Sequence, residues 1–490
     1  MGPVETISVD REMTMESQAN GVHSSKHDDD GRLKRRGTWL TATSHIVTAV
    51  IGSGVLSLAW AVAQLGWIAG PAILTIFSVI TVFTSSLLSD CYRYPDSVHG
   101  TRNHNYREMV KNILGGRKYL FCGLAQFANL IGTGIGYTVT ASISMVAVIR
   151  SNCFHKYGHE AKCHTSNYPY MTIFAVIQIL LSQIPDFQEL SGLSIIAAVM
   201  SFGYSSIGIG LSIAKIAGGN DAKTSLTGLI VGEDVTSQEK LWNTFQAIGN
   251  IAFAYAFSQV LVEIQASYLR QNWCFLITFQ FDTLKSSPPE NQAMKKATLA
   301  GCSITSLFYM LCGLLGYAAF GNKAPGNFLT GFGFYEPYWL VDIGNVFVFV
   351  HLVGAYQVFT QPVFQLVETW VAKRWPESNF MGKEYRVGKF RFNGFRMIWR
   401  TVYVIFTAVV AMILPFFNSI VGLLGAISFF PLTVYFPTEM YLVQAKVPKF
   451  SLVWIGVKIL SGFCLIVTLV AAAGSIQGII ADLRIYEPFK

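Results

Sequence analysis

Residues 1–37 are polar, and from residue 38 onward long apolar stretches alternate with short polar ones. A bilayer core asks for about 20 consecutive apolar residues per helix. Eleven stretches meet that demand: 39–64, 67–90, 119–149, 169–185, 189–214, 242–264, 297–319, 338–363, 399–415, 418–436 and 452–476. The pattern predicts an all-α polytopic membrane protein. The polar head, which ends in Arg32, Lys34, Arg35 and Arg36, lacks the apolar core of a signal peptide and reads as a cytosolic tail.

Inside the spans the polar and small residues are unevenly placed. The first span carries Gly52-Ser53-Gly54 about halfway across. Each glycine weakens a helix by roughly 1 kcal/mol, and unwound backbone at that depth is tolerated only where it lines a cavity or is buried in protein. Freed N–H groups there can hold a carboxylate at a half-helix N-terminus; close helix packing through small residues is the other reading. In the sixth span Gly249-Asn250, followed by Phe253, Ala254 and Phe257, predicts a second interruption. Breaks in spans one and six imply a repeat of five spans, an odd number, so the second copy is inverted and the substrate site lies between the breaks.

Other intramembrane polar groups offer two readings each. In the third span Asn129, Thr133 and Gly136 share one face, a substrate-facing stripe or a packing seam. His45 and His351 can titrate near physiological pH and couple protons, or serve as packing residues. Glu263 is a gate ion-pair residue or a solvated helix end; Asp342, with Asn345 one turn on, is a further coupling candidate in the outer half of span eight.

Composition narrows the function classes. Charged residues make up 13% of the 490 and hydrophobic residues 52%, against about 25% charged in a soluble domain. That excludes a soluble enzyme, a nucleic-acid binder and a disordered chain. The net charge of +8 is mostly topology: 25 of the 36 Lys and Arg fall in segments assigned to the inside and nine in those assigned outside. A cytosolic N-terminus and, at 477–490, an extracellular C-terminal tail follow. Cys153 and Cys163 share an outer loop where a disulfide can persist, with free thiols or a weak metal site as alternatives. No H-E-x-x-H, phosphate-loop or nucleophile-elbow motif occurs, so no enzyme is expected.

Several runs together resemble the plant amino-acid permeases of the amino acid/auxin permease family, within the amino acid–polyamine–organocation superfamily. They are Arg36-Gly37-Thr38-Trp39 through Trp60, Leu87 to Arg93, Asn129 to Tyr137, Ile184-Pro185-Asp186-Phe187, Ser286 to Asn291, and Phe436 to Tyr441. The resemblance covers nearly the whole chain after residue 30. It implies an eleven-helix transporter with a five-plus-five inverted-repeat core and broken helices 1 and 6. It also implies proton-coupled import of neutral and acidic amino acids across the plasma membrane, driven by the proton gradient without a cofactor. By fold analogy Gly52, Ser53 and Gly54 meet the substrate carboxylate, while Asn129, Thr133, Phe253, Ala254 and Phe257 shape the pocket. The implied partners are an amino acid, protons and the lipid bilayer.

One stretch departs from the family. Sixteen residues, Ala266 to Phe281, separate Gln265 from Asp282, which adjoin in the family pattern. Its apolar part, nine residues from Trp273, makes a helix of only about 13 Å, too short to span. A retained intron or alternative splice site and a genuine functional insert both explain it, and its position predicts slower transport. Two other functions stay open: a same-fold carrier of auxin or a related carboxylated amine, and a non-transporting receptor or regulatory splice isoform.

Overall fold

The computed structural model describes residues 37–158, 160–184, 191–219, 221–258, 261, 289–333, 337–378, 380, 384–387 and 390–486. Helix α1 (Trp39–Val50) begins on Thr38, where the Thr38 and Thr41 hydroxyls each accept from the other's backbone N–H. This capping box satisfies two orphan donors at the start of the helix. After a break comes a short 3-10 helix, Ser53–Ser57, and then α2 (Leu58–Asp90). Gly66, with φ +79°, divides α2 and marks the turn between the first and second expected spans. A Cβ there would lie 2.1 Å from the Gly228 nitrogen, so only glycine fits.

The remaining helices are α3 (Tyr106–Leu114), α4 (Gly116–Tyr157), α5 (Tyr168–Ser182), α6 (Ser191–Ala217), α7 (Ser237–Ala254), α8 (Glu290–Phe320), α9 (Tyr338–Arg374) and α10 (Gly394–Ile413). They are followed by α11 (Phe417–Ser428), a π-helical turn at Phe429–Tyr435, α12 (Phe436–Gln444) and α13 (Leu452–Ile485). Two further 3-10 helices, Gly321–Lys323 and Phe328–Phe332, and two short hairpins, Arg93–Tyr94 with Thr101–Arg102 and Glu384–Val387 with Phe390–Asn393, complete the described elements. Among the described residues eight helices are long and apolar enough to cross a membrane. They match expected spans two, three, five and seven to eleven. The first span is divided at its break, the fourth is the shorter helix Tyr168–Ser182, and the sixth is interrupted after Ala254. The last helix runs beyond 476 to Ile485, so most of the expected C-terminal tail is helical: Ile476, Ile479, Ile480 and Leu483 keep helical spacing, and Asp482 accepts from the Ser419 hydroxyl at 2.9 Å.

The bundle has a centre and a rim. The apolar window of Phe417–Gln444 is 78% buried and that of Leu452–Ile485 only 28%, which sets α11 inside and leaves α13 facing outward. α2 packs against α8 and α7; α4 against α9 and α11; α6 against α9 and α8; α7 against α11 and α13.

The loops sort into two ends, in the same groups as the charge count. At one end Glu290 opens α8 between two arginines, Arg93 and Arg102, at 2.8 and 2.7 Å, with all three side chains at most 5% exposed. Lys295 and Asn291 hold Asp90 at the same end, and the Gln444 amide donates to the carbonyls of Asp90 and Arg93. At the other end the Lys240 ammonium donates to the carbonyls of Gln64, Thr227 and Leu229, one for each of its protons. Cys153 and Cys163 lie at that end, joined in a disulfide with a Cα–Cα distance of 5.9 Å, which leaves neither thiolate for a metal.

Candidate functional site: two facing helix breaks

At the first break α1 ends at Val50, Ile51 leaves the helix at φ −73°, ψ 86°, and Gly52 is extended at φ −128°, ψ −153°. The backbone turns back through the Gly52 N–H to the Val50 carbonyl, 2.8 Å, and restarts with the Val55 N–H to the Gly52 carbonyl, 3.3 Å. The N–H groups of Ser53 and Gly54 open the new 3-10 turn, where no preceding turn offers a carbonyl; among the described residues neither donates to the backbone. Two adjacent free donors at a helical N-terminus form an anion-binding cradle. Ser53 and Gly54 are buried.

The second break differs from the expected one. Gly249 and Asn250 lie inside α7, which stays helical to Ala254; the chain leaves the helix at Tyr255, Ala256 and Phe257. Gly249 serves packing instead. A Cβ on it would lie 2.6 Å from the Gly422 carbonyl oxygen, and one on Gly425 would lie 2.0 Å from the Gly249 oxygen, so α7 and α11 cross backbone to backbone. Asn250, fully buried, donates to Asn418 at 3.4 Å.

The two breaks touch. A Cβ on Gly54 would stand 3.1 Å from the Ala254 Cα and 3.3 Å from the Phe253 ring. The missing side chain at 54 is what lets the end of α7 approach. Gly52, Ser53 and Gly54 therefore meet Phe253 and Ala254 in one place, and Phe257 follows, buried, at the far side of the second break.

His351 joins this place from α9. Its Nδ1 is 2.7 Å from the Ala197 carbonyl of α6; a carbonyl only accepts, so Nδ1 carries the proton and Nε2 is left as an acceptor. Nε2 has no partner among the described residues and points toward Gly52, whose Cβ position would be 3.8 Å away. The ring stands edge-on to the fully buried Tyr204, centroids 5.7 Å apart.

His45 and Asp342, also singled out from the sequence, lie away from the breaks. His45 is half-buried on α1, seven residues before Gly52 and so about 10 Å along the axis. Asp342 accepts from Asn152 at 2.7 Å near the disulfide end of the bundle, nine residues and about 13 Å from His351 along α9. Glu263 and the segment 266–281 lie outside the described residues. On α4 the stripe divides: Gly136 faces Ile420 and Leu424 as a packing seam, while the side-chain oxygens of Asn129 and Thr133 are buried without a partner among the described residues. Tyr309, a tyrosine inside an apolar helix that no sequence motif marks, reaches both breaks with its hydroxyl.

The family described as "Transmembrane amino acid transporter protein" matches residues 35–481. The chain belongs to this family. Amino acid permease 6 of Arabidopsis thaliana is 63% identical over 477 residues, covering 96% of each chain. Amino acid permease 8 of the same plant is 59% identical over 468 residues, covering 94% of this chain and 95% of the relative. Among solved structures, the crystal structure of MhsT in complex with L-phenylalanine is similar at a TM-score of 0.53 and 8% identity, covering 90% of this chain and 99% of that one. At that identity the likeness shows the fold alone. This member of the transmembrane amino acid transporter family is thus a multi-pass helical carrier with broken helices, and the breaks described above sit in its matched region.

Proposed function

We propose that the chain is a proton-coupled symporter that imports neutral and acidic amino acids across the plasma membrane, with its N-terminus cytosolic and its C-terminus outside. The carrying observation is the contact of the two breaks, which sets free N–H donors beside a helix C-terminal end. A zwitterion fits this polarity. Its carboxylate meets the N–H groups of Ser53 and Gly54, where the helical dipole is positive; its ammonium faces the carbonyl end of α7, where it is negative. Phe253, Phe257, Asn129 and Thr133 shape the side-chain pocket. The names of the relatives, amino acid permeases, support the same substrate class.

His351 supplies the coupling in this reading. Its Nε2 is an acceptor beside Gly52. A proton taken there from an acidic exterior puts positive charge next to the carboxylate cradle and strengthens substrate binding. Loss of the proton inside weakens the cradle and releases the amino acid. The charge split of 25 inside and nine outside supports the orientation.

Whole-cell current with added alanine or glutamate, at outside pH values of about 5 and 7.5, tests this. An inward current enhanced by acid is expected, and His351→Gln loses the enhancement. Equal currents at both pH values would sink the coupling; no current from surface-expressed protein would favour the non-transporting isoform, for which the sixteen extra residues speak. Stronger competition by indoleacetate than by alanine would move the cargo to auxin.

A further inference from the structure

Tyr309 lies on α8, outside both broken helices, and is fully buried. Its hydroxyl is 2.6 Å from the carbonyl oxygen of Val50, the last residue of α1, and 3.0 Å from that of Ala254, the last residue of α7. Carbonyls at a helix C-terminus lack an N–H from the next turn and carry the negative end of the helix dipole; that of Val50 accepts only across the tight turn from the Gly52 N–H, at 2.8 Å. Two such ends converging on one buried point repel each other. In carriers with broken helices this kind of carbonyl pair coordinates a small cation. Here a phenol hydroxyl stands at the point of convergence, with one proton for two acceptors.

The ring is held so that the hydroxyl cannot wander. It packs edge-on against Tyr255, centroids 5.3 Å apart, directly after the end of α7. The Tyr255 hydroxyl donates to Ser306 at 3.1 Å, and Ser306 pairs with Ser78 of α2 at 2.7 Å. The chain of contacts thus ties α8 to α2 and to both breaks.

We propose that Tyr309 is a positioning residue whose hydroxyl proton does the work of a bound cation between the two helix ends, and so holds both halves of the substrate site in register. This rests on the reading of the breaks as an amino acid site. Without the hydroxyl the carbonyls of Val50 and Ala254 face each other unbridged, the ends separate, and the N–H cradle at Ser53 and Gly54 no longer matches the pocket wall at Phe253.

The test is uptake of labelled alanine by the full-length protein carrying Tyr309→Phe, an isosteric change, at matched surface abundance. The expected result is a KM raised about five- to tenfold with the maximal rate per surface molecule within about twofold. Ser306→Ala, which cuts only the link to Tyr255 and Ser78, is expected to leave KM within about twofold. A wild-type KM in Tyr309→Phe, or an equal rise in Ser306→Ala, overturns the inference. Absence of uptake by the wild type would instead overturn the function on which it rests. If Tyr309→Phe does not reach the surface, alanine binding to purified, detergent-solubilised protein replaces uptake: weakening of about fivefold or more supports the proposal, and unchanged affinity overturns it.

Discussion

The two helix breaks meet at one point yet are made in different ways. The first carries its own instruction: Gly52 and Gly54 flank Ser53 and weaken the helix where they stand, and the close approach at position 54 needs a residue without a side chain. The second runs through Tyr255-Ala256-Phe257, which contain no glycine. Its cause lies in its neighbours. Gly54 opens room for Ala254, Tyr309 bonds the freed carbonyl, and Tyr255 and Phe257 turn into buried positions. One break is written where it occurs, and the other is written at Gly54 and on α8.

Filling position 54 should break both at once. Gly54→Val places a Cβ 3.1 Å from the Ala254 Cα. Uptake is expected to fall by about tenfold or more at normal surface abundance, because displacing a binding element by even 1 Å is costly. Uptake above half of wild type would show that the breaks need not touch. The second break leads toward the sixteen additional residues, 266–281, and the first has no such neighbour. Deleting them is expected to raise the maximal rate about threefold through freer movement of the helix after the break, with KM unchanged; equal rates would remove the segment from the transport cycle. Gly249→Ala sharpens the contrast between a glycine that opens a break and one that packs. Its Cβ would press on the Gly422 carbonyl, so surface abundance should fall about twofold while KM holds. A shifted KM would place Gly249 in the binding region after all.

The long apolar runs were legible because lipid demands length and hydropathy from each helix alone, and the chain between residues 67 and 476 obeys that demand with few exceptions. Gly52–Gly54 was legible because glycine weakens the helix in which it stands. Gly249–Asn250 looked the same and was not the break: Gly422 and Gly425 face it across α11, and one sequence does not say which glycines face each other. Tyr309 left no mark for a similar reason. A tyrosine within an apolar span reads as packing until its hydroxyl is seen between two helix ends. His351 was visible as a titratable residue, but its place beside Gly52 depends on how α9 lies against α6 and the first break.

The ion cluster at Glu290 has a consequence in time. Arg93 and Arg102 precede their shared carboxylate by 197 and 188 residues. At a synthesis rate of about 5–20 residues per second, the two arginines wait roughly 10–40 seconds for Glu290 to emerge. Through that interval the first hairpin is already synthesised, while expected spans three to six enter the bilayer. The first half of the protein is therefore delivered unfinished. Its closure falls due when α8 begins.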